Sequence, residues 1–382
     1  VTLIDVPKLY VSPELHEFSD KQRLDKRLRE VDENTLVRPP MSPDEITLDS
    51  DGRTNASGYR YTINAFDTVA RTLAPGLSTL VPNLAGENQR SRRKEEQKSF
   101  SEALSVFNAV AVARFDAEIS QCQFVFNEGE KLIEGVLGPK TKYLDNSLFF
   151  QLIDETLIAT FGDEVEFYRA NLAGRRLLLR YCRTDPLCTI GPENGQTHFI
   201  HRGYHFSNSE SGDASVRAAP LYVNPGSGHA CLGRFAKAKT RMIHAGREFR
   251  ARLNSLLSAA ITGGGDDTVF VDKLRELKSY PLELPSPAHE SFDGCLAQLV
   301  SVVSKYGTIT NSLAQKIAEH AVYTGAFPTG DSQYRALRDS QVTERNEYDV
   351  YCAVTAEAKK LPIRQRESVE QAAFDYLLDD NR

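Results

Sequence analysis

The densest group of titratable side chains in the sequence is His198-Phe-Ile-His201-Arg-Gly-Tyr-His205. In an extended strand successive side chains alternate between faces, so His201 and His205 share one face and His198 takes the other. Three imidazoles at this spacing do not converge on one ion. Adding Cys182, Cys188, His229 or Cys231 could build a zinc site, but Cys-x5-Cys and His-x-Cys are not the spacings of common zinc modules. The histidines are read as satisfied or solvent-facing, and no metal or other cofactor is assigned. A metal-dependent nuclease with His201, His205, Glu210 and Asp213 around an ion stands as an alternative reading.

The second chemical feature is charge. Residues 234 to 253 carry Arg234, Lys237, Lys239, Arg241, Arg247, Arg250 and Arg252 against a single acid, Glu248. Wound as a helix, the segment gathers Phe235, Met242, Phe249, Leu253 and Leu256 on one side, with Lys237, Arg241, His244 and Arg247 around the other. Such a stripe suits phosphate contacts, each cation releasing a counterion when it meets DNA or RNA; a solvated face paired with acids elsewhere is the plainer reading. Arg92 and Arg93, with Arg90 and Lys94, form a second patch offset by Glu95 and Glu96. Tyr204, Phe206 and Tyr222 suit stacking on unpaired bases, although alternating aromatics more often fill the core of a sheet.

Gly-x-x-x-x-Gly-Lys-Ser/Thr, Gly-x-Gly-x-x-Gly, His-Glu-x-x-His and Gly-x-Ser-x-Gly are all missing from the sequence, so no reaction is favoured and no catalytic residue is assigned. The loop Asn208-Ser-Glu-Ser-Gly212 is read as a turn that pins strand register, with Gly212 supplying a permissive backbone.

The elements that would position these residues follow from periodicity. Asp20 to Asp32 reads as a short surface helix, and Arg38 to Gly58 as a linker rich in Pro, Gly and Asn. Tyr61 to Leu80 has helical spacing in Ile63, Phe66, Val69, Leu73 and Leu77. Val106 to Phe115, Gln123 to Phe126 and Lys131 to Leu137 are β-branched or aromatic segments, predicted as strands. Asn146 to Thr160 reads as a helix. The pairs 164–170 with 175–182 and 198–207 with 215–223 read as antiparallel hairpins. From Lys237 onward the character is helical.

The fold class expected is α+β: a central, mostly antiparallel sheet with flanking helices and a helical C-terminal region. Its expected divisions are a polar N-terminal arm and linker over 1–58, a core domain over 59–262 and a mostly helical region over 263–382. With 41% hydrophobic and 26% charged residues the chain has the composition of a folded globular protein. Its apolar runs are shorter than the ~20 residues a membrane helix needs. Residues 1–8 do not resemble a secretory signal, and the six cysteines are too sparse for a disulfide scaffold. The expectation is a cytoplasmic protein with reduced thiols and no membrane partner.

Three stretches resemble a known family. Gly138-Pro-Lys-Thr-Lys-Tyr143-Leu-Asp145-Asn146 is similar to the "S-x-R-Y-x-x-I/L-D-N" element, and Arg202-Gly203-Tyr-His-Phe-Ser-Asn208-Ser209-Glu210-Ser-Gly212 to the "G-F-x-x-x-N-S-E-x-G" strand and loop, of the phage/plasmid-like family known as domain of unknown function 932. Tyr348 to Ala358 resembles that family's C-terminal helix, with Cys352 in place of its Asn and Ala356 intervening before Glu357. The resemblance implies cargo of phages, plasmids and integrative elements. Joined to the basic segment and the sheet, this setting makes a nucleic-acid-binding accessory protein the expectation: one that handles single-stranded DNA in annealing or recombination without ATP, assisted by homo-oligomer formation. A counter-defence or regulatory protein that binds a host protein is the other class, with the basic segment facing an acidic partner.

Overall fold

The computed structural model describes residues 10–11, 14–74, 77, 94–139, 141, 143–193, 196–212, 215–233, 267–279, 309–323 and 347–378, with scattered positions from 251 to 305. Its architecture is α+β, with two sheets and eight helices among the described residues.

The N-terminal segment is woven into both sheets. β1 (Tyr10–Val11) pairs with Tyr61 and Thr62 of the first sheet, while β2 (Leu15–Phe18) runs antiparallel to residues 170–173 of the second. α1 (Lys21–Glu33) follows, capped by Asp20, whose side chain accepts the backbone N–H of Gln22 and Arg23. Leu24 and Leu28 are its buried stripe. β3 (Thr35–Arg38) then enters the first sheet. The stretch read as a linker is also packed: Ile46 and Leu48 are buried, and Asn108 bonds both backbone polar groups of Leu48.

β4 (Arg60–Thr62) leads directly into α2 (Ile63–Leu73), capped by Thr62. α2 ends at Leu73, ahead of Pro75, and residues 75–76 and 78–80 of the helix expected as far as Leu80 lie outside the described residues. α3 (Lys94–Arg114) is a helix where strand was expected over 106–115, and it runs into a π-helical turn, Phe115–Ile119. The β-branched Val106 and Val112 are exposed, and the buried positions Leu104, Phe107, Ala111 and Phe115 recur every three or four residues, as a helix requires. β5 (Gln123–Asn127) and β6 (Leu132–Leu137) complete a five-stranded sheet in the order β1-β4-β6-β5-β3.

α4 (Asn146–Phe161) crosses to the second sheet. This sheet consists of β7 (Val165–Ala173), β8 (Arg176–Glu193), β9 (Gln196–Ser209), β10 (Arg217–Asn224) and β11 (His229–Leu232), in the antiparallel order β11-β10-β9-β8-β7-β2. In β8 the alternation is legible in the residues. Leu177, Leu179 and Tyr181 join the core against Phe149, Ile153 and Leu157 of α4, which leaves Arg176, Arg180 and Cys182 for the other face. α5 (Asp267–Ser279), α6 (Asn311–Tyr323), α7 (Glu347–Ala358) and α8 (Ile363–Leu378) supply a further core in which Phe270 stacks on Tyr222 at 3.7 Å between ring centroids. No helix among the described residues is long and apolar enough to cross a membrane.

Candidate functional site

The stretches 138–146 and 202–212 meet where the sheets adjoin. Asp145 caps α4 by accepting the N–H of Leu148, which leaves the next helical N–H, that of Asn146, to the Glu210 carboxylate sixty-four residues away. The Asn146 side chain donates to Arg175 O (3.1 Å). Asn208 Nδ2 donates to Leu144 O (3.0 Å) and Asn146 Oδ1 (2.9 Å). Ser209 and Ser211 exchange a hydroxyl contact of 2.8 Å, and Gly212 closes the turn at φ 73°. The Asn208–Gly212 turn therefore holds α4 against the sheet, in keeping with a structural turn.

Arg175, in the turn between β7 and β8, sits at the centre. Its Nε bonds Glu134 of β6, and its Nη1 bonds Glu210 (3.1 Å) and Thr35 Oγ1 of β3 (2.7 Å). One guanidinium so ties both sheets together. Their backbones approach closely enough that a Cβ on Gly135 would stand 2.4 Å from Ser211 Cα, so glycine is required there.

Carboxylates outnumber cations at this junction. Burial pushes the Glu210 carboxyl up to about 7, although the Arg175 charge and the Asn146 N–H pull it down. Asp32 rises to about 6, through burial and then the neighbouring Asp145 charge. Burial, and then the Glu210 charge, likewise raise the Tyr143 phenol. Above these groups lies a cleft of about 360 Å3 lined by Asp32, Thr35, Tyr143, Asp145, Ser147 and Gln151, among others. Asp32 and Asp145 are the carboxyls that line this cleft, whereas Glu210 is buried. No group of three or more His, Cys, Asp or Glu able to hold a metal ion occurs among the described residues.

The other sequence candidates go elsewhere. Gly203 lies on β9 opposite Cys182, remote from the turn it shares a motif with. The histidines diverge: His198 Nδ1 meets Tyr348 Oη (3.1 Å), His201 Nδ1 meets Arg183 O (2.8 Å), and the fully buried His205 bonds Glu367 (2.9 Å). His205 and Glu210 are five residues apart, roughly 16 Å at the rise of a strand, and Glu210 serves Arg175. His201, His205 and Glu210 of the nuclease reading are thus not brought together, and Asp213 lies outside the described residues. Tyr204, Phe206 and Tyr222 are all buried in the core and offer no platform for bases. Cys122, Cys182, Cys188 and Cys231 are free and buried, and Cys352 is buried as well. Arg92, Arg93, Arg234, Lys237, Lys239, Arg241, Arg247 and Arg250 lie outside the described residues.

Sequence reasoning missed a charged seam between the second sheet and α8. Arg176 bonds Glu367, and Arg180 bonds Glu370. Arg366 reaches Glu370 (3.1 Å) and Asn171 (3.4 Å), and Arg217 approaches Glu367 at 3.7 Å. Arg180, Arg366, Glu367 and Glu370 are each at most 3% exposed. The available signal was a pair of arginines in the otherwise apolar strand Arg176-Leu-Leu-Leu-Arg180-Tyr-Cys, facing the Arg366, Glu367 and Glu370 spacing of one helix face. No family model, no curated protein and no solved structure matches this chain.

Proposed function

We propose that this chain is a nucleic-acid-binding accessory protein of a mobile element, which holds single-stranded DNA and promotes its annealing without ATP. The observation that carries the reading is the basic segment. Seven Lys and Arg stand against one acid over residues 234–253, in a chain whose net charge is −6. Charge concentrated so locally suits a polyanion, because each phosphate contact releases condensed counterions. The segment begins two residues after β11, an edge strand of the six-stranded sheet, so it is tethered to a rigid base. Annealing needs phosphate contacts and accessible bases rather than hydrolysis, in keeping with a sequence that has no phosphate loop. The resemblance to the phage/plasmid-like family supports the mobile-element setting.

The test is titration of the purified chain into labelled single- and double-stranded oligonucleotides at two salt concentrations, with sizing of the complexes. Tighter binding to the single strand, weakening with salt and yielding multimers, is expected. Charge reversal at Lys237, Arg241 and Arg247 should weaken it and flatten the salt dependence by about one unit of slope per lost contact. No binding at low salt would end the proposal.

A further inference from the structure

A second site stands at the opposite end of the α8 seam, around Gly228. The turn between β10 and β11 is built on Asn224, whose side chain accepts the N–H of Gly226 (3.1 Å) and Ser227 (3.3 Å), while its carbonyl accepts Gly228 N (2.7 Å). Gly228 has φ 69°, which favours glycine. A Cβ there would stand 3.5 Å from Lys359 Nζ, 3.6 Å from Tyr168 Oη and 4.0 Å from Arg169 Nη2. Three donors from two segments, β7 and the turn that follows α7, therefore stand around Gly228, each within ordinary contact distance of where its missing side chain would begin.

A defect in strand pairing brings two of them together. In a regular strand Tyr168 and Arg169 would point to opposite faces. Here the register between β7 and β8 slips between Phe167 and Arg169, so Tyr168 is the extra residue of a β-bulge and both heads reach Gly228. Bulges commonly re-aim a side chain at a functional position. The Tyr168 hydroxyl is buried without a hydrogen-bond partner among the described residues. Lys359 donates to Ser227 O (2.7 Å), and Arg169 pairs through Nη1 with the half-exposed Glu17 (3.0 Å).

The surroundings carry excess positive charge. Arg169, Arg180, Arg366 and Lys359 face one another, with Glu17 and Glu370 as the opposing carboxylates. Burial and then Arg169 and Arg366 hold the Lys359 ammonium below its ordinary range. Burial followed by Lys359 pushes His229 down to about 3, so that imidazole is neutral at pH 7. Cations that crowd one another beside an unsatisfied hydroxyl await an anion.

We propose that Lys359, Arg169 and Tyr168, gathered over Gly228 by the β7 bulge and the Asn224 turn, bind a phosphate group. Lysine and arginine supply charge-assisted hydrogen bonds, and the phenol supplies a neutral one that sets orientation. The site uses none of the residues of the basic segment and stands whether or not the nucleic-acid reading does. If its occupant is a backbone phosphate, the two sites act on one strand.

The full chain, Lys359→Gln and the isosteric Tyr168→Phe are to be melted in inorganic phosphate and in chloride at matched ionic strength. Each is then titrated with a single-stranded oligonucleotide bearing no terminal phosphate. Phosphate should raise the melting temperature of the parent above its value in chloride. Lys359→Gln should weaken phosphate about tenfold and Tyr168→Phe about threefold, on the scale of one charge-assisted and one neutral hydrogen bond. A parallel loss of oligonucleotide affinity identifies a backbone phosphate as the occupant, and unchanged oligonucleotide affinity identifies a free phosphate group. Equal phosphate responses in all three proteins overturn the proposal. So does the absence of a phosphate response together with oligonucleotide affinity indifferent to both substitutions. A parent that responds to phosphate but binds no oligonucleotide removes the nucleic-acid reading and leaves this site standing.

Discussion

The junction between the sheets and the seam beneath α8 are both buried ion systems, and they are unbalanced in opposite directions. At the junction one guanidinium, Arg175, serves Glu134 and Glu210, with Asp32 and Asp145 close by. At the seam Arg176, Arg180 and Arg366 share Glu367 and Glu370, with Arg217 approaching from the rim. At the junction burial, followed at Asp32 by the Asp145 charge, pushes Glu210 and Asp32 up toward neutrality. At the seam burial raises Glu367, but the His205 hydrogen bond, with the Arg176 and Arg217 charges after it, holds it down at about 2. Burial pulls the His205 imidazole below its ordinary value, against the Glu367 hydrogen bond. Its Nε2 faces Glu367, and Nδ1 has no partner among the described residues. Similar burial thus gives one region that binds protons near pH 7 and another that resists them well into acid.

The largest effect should come from breaking the seam on its acidic side. Glu370→Gln leaves Arg180 and Arg366 facing each other in a site at most 3% exposed, and should destabilise the chain by about 3–5 kcal/mol in denaturant unfolding. Replacing the pair together, as Arg180→Met with Glu370→Leu, should recover most of that loss, because the desolvation of both charges is removed with them. If the single and double changes cost the same, the seam is not an ion system in the energetic sense.

The pH dependence separates the regions next. Glu210 has a folded value of about 7 against an ordinary 4.5, so its contribution is fully present below pH 4.5 and is lost as pH rises through 7. Glu367 has the opposite sign: its contribution is present above pH 4.5 and lost as pH falls toward 2. Glu210→Gln should therefore flatten stability between pH 4.5 and 7, where the parent loses on the order of 3 kcal/mol, and Glu367→Gln should flatten only the acid limb. Unfolding curves collected across pH 3 to 8 decide it, and matching limbs in both variants would collapse the distinction.

How much of this was written in the sequence depends on which interaction fixed each part. The hairpins around Leu177–Tyr181 and Tyr204–Phe206 were legible because alternation is a local signal. The segment 106–115 was misread because Val, Ala and Phe are ambiguous in short runs, and its helical period lies in Leu104, Phe107, Ala111 and Phe115 rather than in the valines. The N-terminal strands of two to four residues are fixed by partners such as Tyr61 for Tyr10 and Ala170 for Phe18, which no local pattern reveals. At the junction the turn Asn208–Gly212 was visible, but Arg175 and Glu134 were not. Arginine is ordinarily exposed, and the partners that permit its burial lie far away in the chain, as Glu370 does from Arg180, 190 residues on.

Steric closeness at the junction gives the next effect in size. Gly135→Ala would drive a methyl group into Ser211 Cα, backbone that cannot rotate away, and should cost about 1–3 kcal/mol. The same change at Gly226, where a Cβ would meet only the Asn224 side chain at 3.4 Å, should cost less. Equal losses at the two glycines would mean that the sheets are not held apart by that contact.

The smallest effect tests whether the acidic excess at the junction is electrostatic or merely local in origin. Asp145 both caps α4 and raises the Asp32 carboxyl. Asp145→Asn keeps an acceptor for Leu148 N–H and so should change stability by no more than about 0.5 kcal/mol, whereas Asp145→Ala should cost about 1 kcal/mol through loss of the cap. Both should let the Asp32 carboxyl fall from about 6 toward the ordinary carboxylate range, because each removes the neighbouring negative charge while leaving the burial. Carboxyl titration by NMR reads that fall. If Asp32 titrates unchanged in both variants, burial alone sets its value, and the junction's excess of carboxylates is an accident of packing rather than a coupled proton site.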